Sequence, residues 1–149
     1  MTVRLLDVNM LLALAWPGHE FHIAAQTWFA QKGSRAWATC PITQAGFVRI
    51  SSNPAFSARA VSVPEALKVL EIALKHPRHH FWPDDISFPQ ATQEFANNMV
   101  GPKQATDAYL LGLAERHHGV LATLDSRLPS LLQNTQVASQ RIEVISQFS

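Results

Sequence analysis

Short apolar runs alternate with helical repeats along the whole chain. The opening run TVRLLDV predicts a strand, and MLLALAW after it predicts the start of an apolar helix. Serine with a glutamate or glutamine three residues on, and proline between them, marks two later helix starts, at Ser62 and Ser87. The predicted strands are 2–8, 36–40, 78–82, 120–124 and 141–146. The predicted helices are 10–16, 20–31, 41–52, 63–75, 88–95 and 103–118, with a helix or turn at 128–132.

This alternation of strands and helices predicts an α/β sandwich around a mostly parallel sheet. The run Val120 to Leu124 is free of charge and rich in β-favouring residues, as expected for a strand covered on both faces. Right-handed crossovers bring the carboxyl ends of parallel strands to one edge of the sheet. Residues that directly follow the strands are therefore expected to lie close together.

Three aspartates occupy positions that a structural role alone explains poorly. Asp7 and Asp125 each follow a predicted strand, where open α/β sheets place their ligands. Asp107 stands where the helical repeat of Leu110, Leu111 and Ala114 favours an apolar residue. Carboxylates that converge on one crevice raise each other's pKa unless a cation lies between them. The pattern therefore predicts a site for a divalent metal ion.

Each candidate also has a simpler interpretation. Asp7 and the neighbouring Asn9 could be helix N-caps, which stabilise a helix by about 1 kcal/mol. Gln44, in the first turn of the helix that opens at Pro41, faces the same side as Phe47 and is also explained as an ordinary buried amide. Histidine pairs near residues 19–22 and 79–80 are better explained as helix-edge and strand residues than as metal ligands.

Composition limits the classes of function. The chain has 149 residues, 47% of them hydrophobic, which suits one globular domain over residues 1–149. A net charge of +1 excludes capture of nucleic acid by a strongly basic surface. The single cysteine, Cys40, is expected to be a buried thiol in a protein of the reducing cytoplasm. No apolar run approaches the roughly 20 residues that span a membrane.

Four segments, in order and spacing, resemble the PIN-domain ribonucleases, and more narrowly their VapC branch of toxins from toxin–antitoxin modules. The segments are LLDVN, CPITQAGFVRI, TDAYLLGLA and LATLD, and the likeness covers essentially the whole length. The resemblance implies a three-layer α/β/α sandwich and hydrolysis of RNA with Mg²⁺ or Mn²⁺ held by four acids. It places three of those acids on Asp7, Asp107 and Asp125.

The fourth acid of the family, a glutamate, falls on Gln44. Glutamine keeps the shape and acceptor oxygen of glutamate but has no charge, so it attracts Mg²⁺ less and cannot take up a proton. We therefore expect slower catalysis or a greater need for metal. Natural variation, an engineered inactive form and an acid supplied from elsewhere all fit this difference.

The chemistry of a hard cation suggests the role of each residue, and the resemblance adds the expected partners. Asp7 and Asp107 are expected to bind the metal directly, while Asp125 completes the pocket or orients the attacking water. Asn9 and Thr123 are candidates for holding the carboxylates by hydrogen bonds. Candidates for contacts with RNA phosphates are Arg49, Lys103, Arg116 and Arg127. A homodimer and a VapB-like antitoxin are the expected partners. The aromatic residues Phe21, Trp28 and Phe47, at helical spacing, are expected first in the core, and some of them also in the groove that binds the antitoxin.

Two alternatives stay open on the sequence. An aspartate-based phosphotransfer domain also places aspartates at strand ends, although it needs a second acid near the first one, where this chain has Asn9. A PIN-fold module that binds RNA or an antitoxin without cleaving is suggested by Gln44. Covalent phosphate on an aspartate would favour the first, and loss of RNA cleavage the second.

Overall fold

The computed structural model describes residues 2–33 and 36–147. Its strands are β1 Arg4–Leu6, β2 Trp37–Thr39, β3 His79–Phe81, β4 Val120–Thr123 and β5 Ile142–Val144. Its α-helices are α1 Val8–Ala15, α2 His22–Trp28, α3 Pro41–Ser51, α4 Val63–Leu74, α5 Phe88–Thr92, α6 Ala105–Arg116 and α7 Thr135–Arg141. Within these described ranges no helix is long and apolar enough to cross a membrane.

The five strands form one sheet in the order β3-β2-β1-β4-β5, and every pairing is parallel. The predicted α/β class is confirmed, and the described sheet is parallel throughout. Strand order reverses between β1 and β4, because β2 and β3 extend from one side of β1 while β4 and β5 extend from the other. This reversal opens a crevice at the carboxyl ends of β1 and β4.

Helices cover both faces of the sheet. Leu6 points to the layer that contains α1 to α4, where it packs with Met10, Phe47 and Leu70. Leu5, the residue before Leu6 in β1, points to the opposite layer, which is built mainly from α5 and α6. Successive residues of β1 are thus buried on opposite faces, which explains why both of these positions are leucine.

Helix α6 is held against α5 by a close backbone approach. A Cβ atom added at Gly112 would lie 2.0 Å from the carbonyl oxygen of Ala91, so only glycine fits. The neighbouring residues Leu111 and Leu113 are fully buried. This packing fixes the axis of α6, and with it the position of Asp107 in the first turn.

Several local predictions differ from the structure. The predicted helix 20–31 begins two residues later, at His22, and its last turn is a π-helix, Phe29–Gly33. Helix α5 is continued by a 3₁₀ helix, Gln93–Asn98, where the sequence predicted a loop from Asn97 onwards. Helix α7 was not predicted, because its sequence TQVASQR has no apolar repeat; the side chain of Asn134 caps it.

Candidate active site

Two of the three predicted acids lie at the crevice where strand order reverses. Asp7 directly follows β1, and Asp125 lies two residues beyond the end of β4. Helix α6 leads into β4 from the opposite direction, so it begins at this same edge of the sheet. Asp107 lies in its first turn, one turn earlier than the sequence predicted. The fold therefore directs all three carboxylates to one edge.

Asp7 is the most buried of the three, with 7% of its surface exposed. It caps α1, because its Oδ1 accepts a hydrogen bond from the Met10 amide at 2.9 Å. Its Oδ2 accepts a second one from the Thr123 hydroxyl at 2.6 Å. The capping interpretation is thus correct, and it does not exclude the catalytic one, since a carboxylate oxygen can accept more than one bond.

Thr123 connects two of the acids. Its hydroxyl donates to Asp7 and accepts a hydrogen bond from the backbone amide of Asp125 at 3.0 Å. The side chain is fully buried at the end of β4, so it cannot exchange these partners for water. Thr123 therefore fixes the carboxylate of Asp7 relative to the chain that carries Asp125.

The three carboxylates act on one another electrostatically. The pKa of Asp7 is raised from 3.8 to about 6, mainly because the side chain is buried. The hydrogen bonds from Thr123 and Met10 lower this pKa, whereas the charges of Asp107 and Asp125 raise it. Burial also raises the pKa of Asp107 to about 6, and the charge of Asp125 adds to this rise. Each pair of the three is thus close enough to repel. Such a group favours either protons or a cation.

Only Asp125 has a basic partner among the described residues. Its Oδ1 accepts hydrogen bonds from the Arg127 amide at 2.9 Å and from Arg127 Nε at 3.3 Å. The Arg127 side chain is 85% exposed, so this ion pair is weak. Asp7 and Asp107 form no ion pair with a lysine, arginine or histidine in the part of the chain that the structure describes.

Gln44, in the first turn of α3, hydrogen-bonds toward β2 and β3. Its Nε2 donates to the hydroxyl of Thr39 at 3.0 Å, and that hydroxyl lies 2.8 Å from His79 Nε2. Thr39 is fully buried at the end of β2, as Thr123 is at the end of β4. The sequence reasoning missed Thr39 and His79. The signal was present in the two strand endings, which both read Ala-Thr before the chain leaves the sheet.

The geometry agrees with comparisons to known proteins. The PIN domain family matches residues 4–131, most of the chain. The chain belongs to the PIN domain family. It is 44% identical over 126 residues to Ribonuclease VapC39 of Mycobacterium tuberculosis, covering 83% of this chain and 89% of that one. It is 45% identical over 131 residues to Ribonuclease VapC29 of the same species, covering 88% and 91%.

Solved structures support the PIN fold. This chain is similar in structure to a chain of the VapBC2 complex of Rickettsia felis, which is bound to a promoter DNA fragment. The TM-score is 0.63 and the sequence identity 10%, and the match covers 97% of this chain and 98% of that one. DNA-bound VapBC of Salmonella typhimurium matches with a TM-score of 0.62 at 17% identity, covering 99% of both chains. The predicted three-layer PIN sandwich is therefore confirmed.

The donor set of this PIN domain suits a hard cation. Among the described residues, no group of three or more histidine, cysteine, aspartate or glutamate side chains is arranged closely enough to hold a metal ion as it stands. Mg²⁺ needs only one or two carboxylates, because it keeps several waters and binds substrate phosphate. Asp7 and Asp107, which lack basic partners, supply that number.

The other predicted residues of the PIN domain lie at different distances from the acids. Lys103 is exposed in the 3₁₀ turn that precedes α6, four residues before Asp107. Arg49 is exposed on the last turn of α3, one turn beyond Gln44. Asn9 is exposed on α1 and forms no hydrogen bond with any of the three carboxylates in the described chain.

Arg116 is not near the acids. It lies at the opposite end of α6 from Asp107, about 13 Å away along the helix axis. Its Nε forms an ion pair with Asp85 at 3.1 Å. The helix therefore carries its predicted metal ligand and this predicted RNA contact to opposite edges of the sheet.

Proposed function

We propose that this PIN domain is a metal-dependent endoribonuclease, the toxin of a type II toxin–antitoxin pair. The observation that carries the proposal is the set of three mutually repelling carboxylates at the β1–β4 crevice, of which Asp7 and Asp107 have no basic partner among the described residues. The two relatives named above, 44% and 45% identical to this chain, are ribonucleases by name.

In this proposal Asp7 and Asp107 hold Mg²⁺ or Mn²⁺, and Asp125 completes the negative pocket. The bound ion supplies a water of lowered pKa and polarises the scissile phosphodiester. Thr123 holds Asp7 in place, so that one oxygen of the carboxylate keeps its helix-capping bond. Since Asp7 and Asp107 take up protons near pH 6, we expect activity to fall below that pH.

Gln44 adapts the site to the loss of one acid. As an amide it donates to the Thr39 hydroxyl, which lies 2.8 Å from His79 Nε2. An ionised glutamate could only accept there, so the Thr39 hydroxyl would have to donate to residue 44 and its hydrogen bond with His79 would have to adjust. We therefore expect Gln44→Glu to strengthen metal binding while it disturbs this hydrogen-bonded chain.

The test is cleavage of a mixed-sequence RNA in Mn²⁺ and in Mg²⁺ by the parent, Gln44→Glu and Asp107→Asn. Asp85→Asn is the matched control, because it removes an aspartate at the far end of α6. We expect cleavage by the parent, Gln44→Glu and the control, and its loss in Asp107→Asn. If neither the parent nor Gln44→Glu cleaves RNA, the non-catalytic binding module replaces this proposal.

Phosphotransfer finds less support. Receiver domains with a phosphorylated aspartate have the strand order 2-1-3-4-5, whereas the order here is 3-2-1-4-5. The residue two positions after Asp7, where haloacid dehalogenase-like enzymes need a second acid, is Asn9. An acid-labile or base-labile phosphate on Asp7 after incubation with a phosphodonor would reverse this judgement.

The proposed partners are a VapB-like antitoxin, RNA and a second copy of the chain in the cytoplasm. The two structural neighbours described above are VapBC complexes. A cavity of about 500 Å³ between α1, α2 and α4, lined by Phe29, Trp37 and Phe47, is suited to an apolar antitoxin segment. Of the aromatics expected there, Phe47 lines it, while Phe21 and Trp28 do not. Co-purification with the product of a neighbouring small gene tests this.

A further inference from the structure

Arg127 has a fixed backbone and a free side chain. Its backbone amide donates a hydrogen bond to Asp125 Oδ1 at 2.9 Å, and its carbonyl oxygen accepts one from the Ser130 hydroxyl at 2.7 Å. It directly precedes the 3₁₀ helix Leu128–Leu131, whose two leucines are buried. The side chain is nevertheless 85% exposed. The guanidinium is therefore able to change its partner while the backbone around it stays in place.

The other arginines with ion pairs in the described ranges are held more firmly or lie elsewhere. The side chains of Arg4 and Arg141 are only 11% and 14% exposed in their ion pairs with glutamates. Arg116, 48% exposed, forms its ion pair at the far end of α6. Of these residues, only Arg127 pairs with an acid of the candidate active site, at 3.3 Å between its Nε and Asp125 Oδ1.

This ion pair lies at the crevice that holds the three carboxylates. Burial raises the pKa of Asp7 and of Asp107, and the charge of Asp125 raises both further. Asp125 is thus within electrostatic range of the other two acids. Because the guanidinium of Arg127 contacts Asp125 itself, its place at the rim of the crevice follows from a measured distance.

Three carboxylates attract a metal ion but repel a substrate that is an anion. A net charge of +1 over the whole chain offers little compensation, so a cation is needed at the crevice itself. A guanidinium carries five donors in a planar fork that fits the oxygens of a phosphate. With a metal ion at the carboxylates, Asp125 needs the guanidinium less, and the two positive charges repel each other. The guanidinium is then free to bind a phosphate.

We propose that Arg127 is a mobile cation of this site, which pairs with Asp125 in the protein without metal and binds an RNA phosphate at the crevice once metal occupies the carboxylates. The inference rests on the proposed ribonuclease function and deepens it, because it gives one basic residue an exchange of partners between metal-free protein and substrate complex. It implies two effects of opposite sign. Without the guanidinium, the protein should bind metal more tightly and RNA more weakly.

The first measurement is calorimetric titration of Mn²⁺ into the parent and into Arg127→Ala, without RNA. The substitution leaves the Asp125 carboxylate without its ion pair and removes a positive charge near the metal. We therefore expect Arg127→Ala to bind Mn²⁺ about two- to fivefold more tightly, the range expected for an exposed ion pair. The backbone amide of residue 127 still donates to Asp125, so the loop is retained.

The second measurement is the binding of a fluorescein-labelled, single-stranded RNA oligonucleotide of mixed sequence, followed by anisotropy against salt in chelator. Arg127→Ala is made in the native chain and in an Asp125→Asn background, where no carboxylate competes for the guanidinium. In that background we expect it to weaken binding and to reduce the slope of log K on log salt by about 0.7, as for one lost phosphate contact. In the native chain both effects should be smaller.

Arg78→Ala is the matched control. Arg78 is exposed and precedes β3, so it lies at the amino ends of the strands, opposite the crevice. The same loss of charge there should change neither the Mn²⁺ affinity nor the salt dependence of RNA binding. Arg127→Lys keeps the charge without the planar fork, and it should restore the Mn²⁺ affinity of the parent and only part of the RNA affinity.

The outcomes separate this inference from the proposed function. Weaker binding of both Mn²⁺ and RNA by Arg127→Ala would show a structural role and refute the inference. Unchanged RNA affinity in the Asp125→Asn background, or an equal effect of Arg127→Ala with and without the Asp125 carboxylate, would also refute it. If the opposite changes are observed while the parent fails to cleave RNA, the ribonuclease proposal is lost and the role of Arg127 stands. A parent that binds no Mn²⁺ refutes both.

Discussion

Replacing Asp7 by asparagine should stabilise the protein in the absence of metal. Its carboxylate is 7% exposed and lies near two other carboxylates, and its pKa is raised from 3.8 to about 6. Such a rise corresponds to about 3 kcal/mol, because each tenfold change in an acid constant is about 1.4 kcal/mol. The side-chain oxygen of an asparagine can still accept a hydrogen bond from the Met10 amide. Its hydrogen bond with the Thr123 hydroxyl is weaker than that of the carboxylate, so the net increase in the free energy of unfolding is about 2 kcal/mol.

The gain should depend on pH with a definite sign. In the unfolded chain Asp7 loses its proton near pH 4, whereas in the folded chain it does so near pH 6. Between these pH values the folded state binds more protons than the unfolded state, so the free energy of unfolding of the parent falls as pH rises. The whole decrease in this free energy has occurred above about pH 6. The two proteins should therefore converge at about pH 4 and differ most at about pH 8.

Metal should reverse the order of stability. At a Mg²⁺ concentration about 100 times its dissociation constant, the parent gains about 2.7 kcal/mol, which Asp7→Asn does not share. The assay is urea unfolding followed by fluorescence of the four tryptophans, in chelator and in Mg²⁺. Asp85→Asn, far from the crevice, should show neither response. A variant that is less stable than the parent in chelator at about pH 8 would refute the reasoning.

Two further predictions concern Thr123 and Gly112. Thr123→Val removes a buried hydroxyl that serves both Asp7 and the Asp125 amide, so we expect a loss of about 1–3 kcal/mol at neutral pH in urea unfolding. Thr123→Ser should retain most of that stability, and an equal loss in both variants would contradict the hydrogen-bond argument. Gly112→Ala should destabilise the fold by about 1–3 kcal/mol or more, because the new Cβ would meet the Ala91 carbonyl at 2.0 Å. An unchanged midpoint of thermal unfolding would show that α5 and α6 pack less closely than described.

The sequence predicts the fold well wherever side-chain periodicity decides the local structure. Helices α3 and α4 begin at the proline and at the serine cap that mark them, and Ser62 accepts the amide of Glu65 as its motif requires. Helix α7 was not predicted because its sequence is polar and has no helical repeat of apolar residues. The Asn134 cap and packing on α6 and β4 stabilise it as a helix. Propensity alone is a weak guide in such segments.

The candidate site is predictable in outline but not in its contacts. Strand ends and the helical repeat pointed to Asp7, Asp107 and Asp125, since those signals depend on short-range periodicity. The hydrogen bonds of Gln44 to Thr39 and onward to His79 depend on how β2 and β3 pair, which no local pattern encodes.

The most direct test of the account is calorimetric titration of Mn²⁺ into the protein without RNA, at about pH 7.5 and at about pH 5. The account predicts saturable binding of Mn²⁺ at the higher pH and weaker binding at the lower pH, because Asp7 and Asp107 gain protons there. It also predicts that binding is lost in Asp107→Asn and retained in Asp85→Asn. Binding that is absent at about pH 7.5, or unchanged in Asp107→Asn, would contradict it.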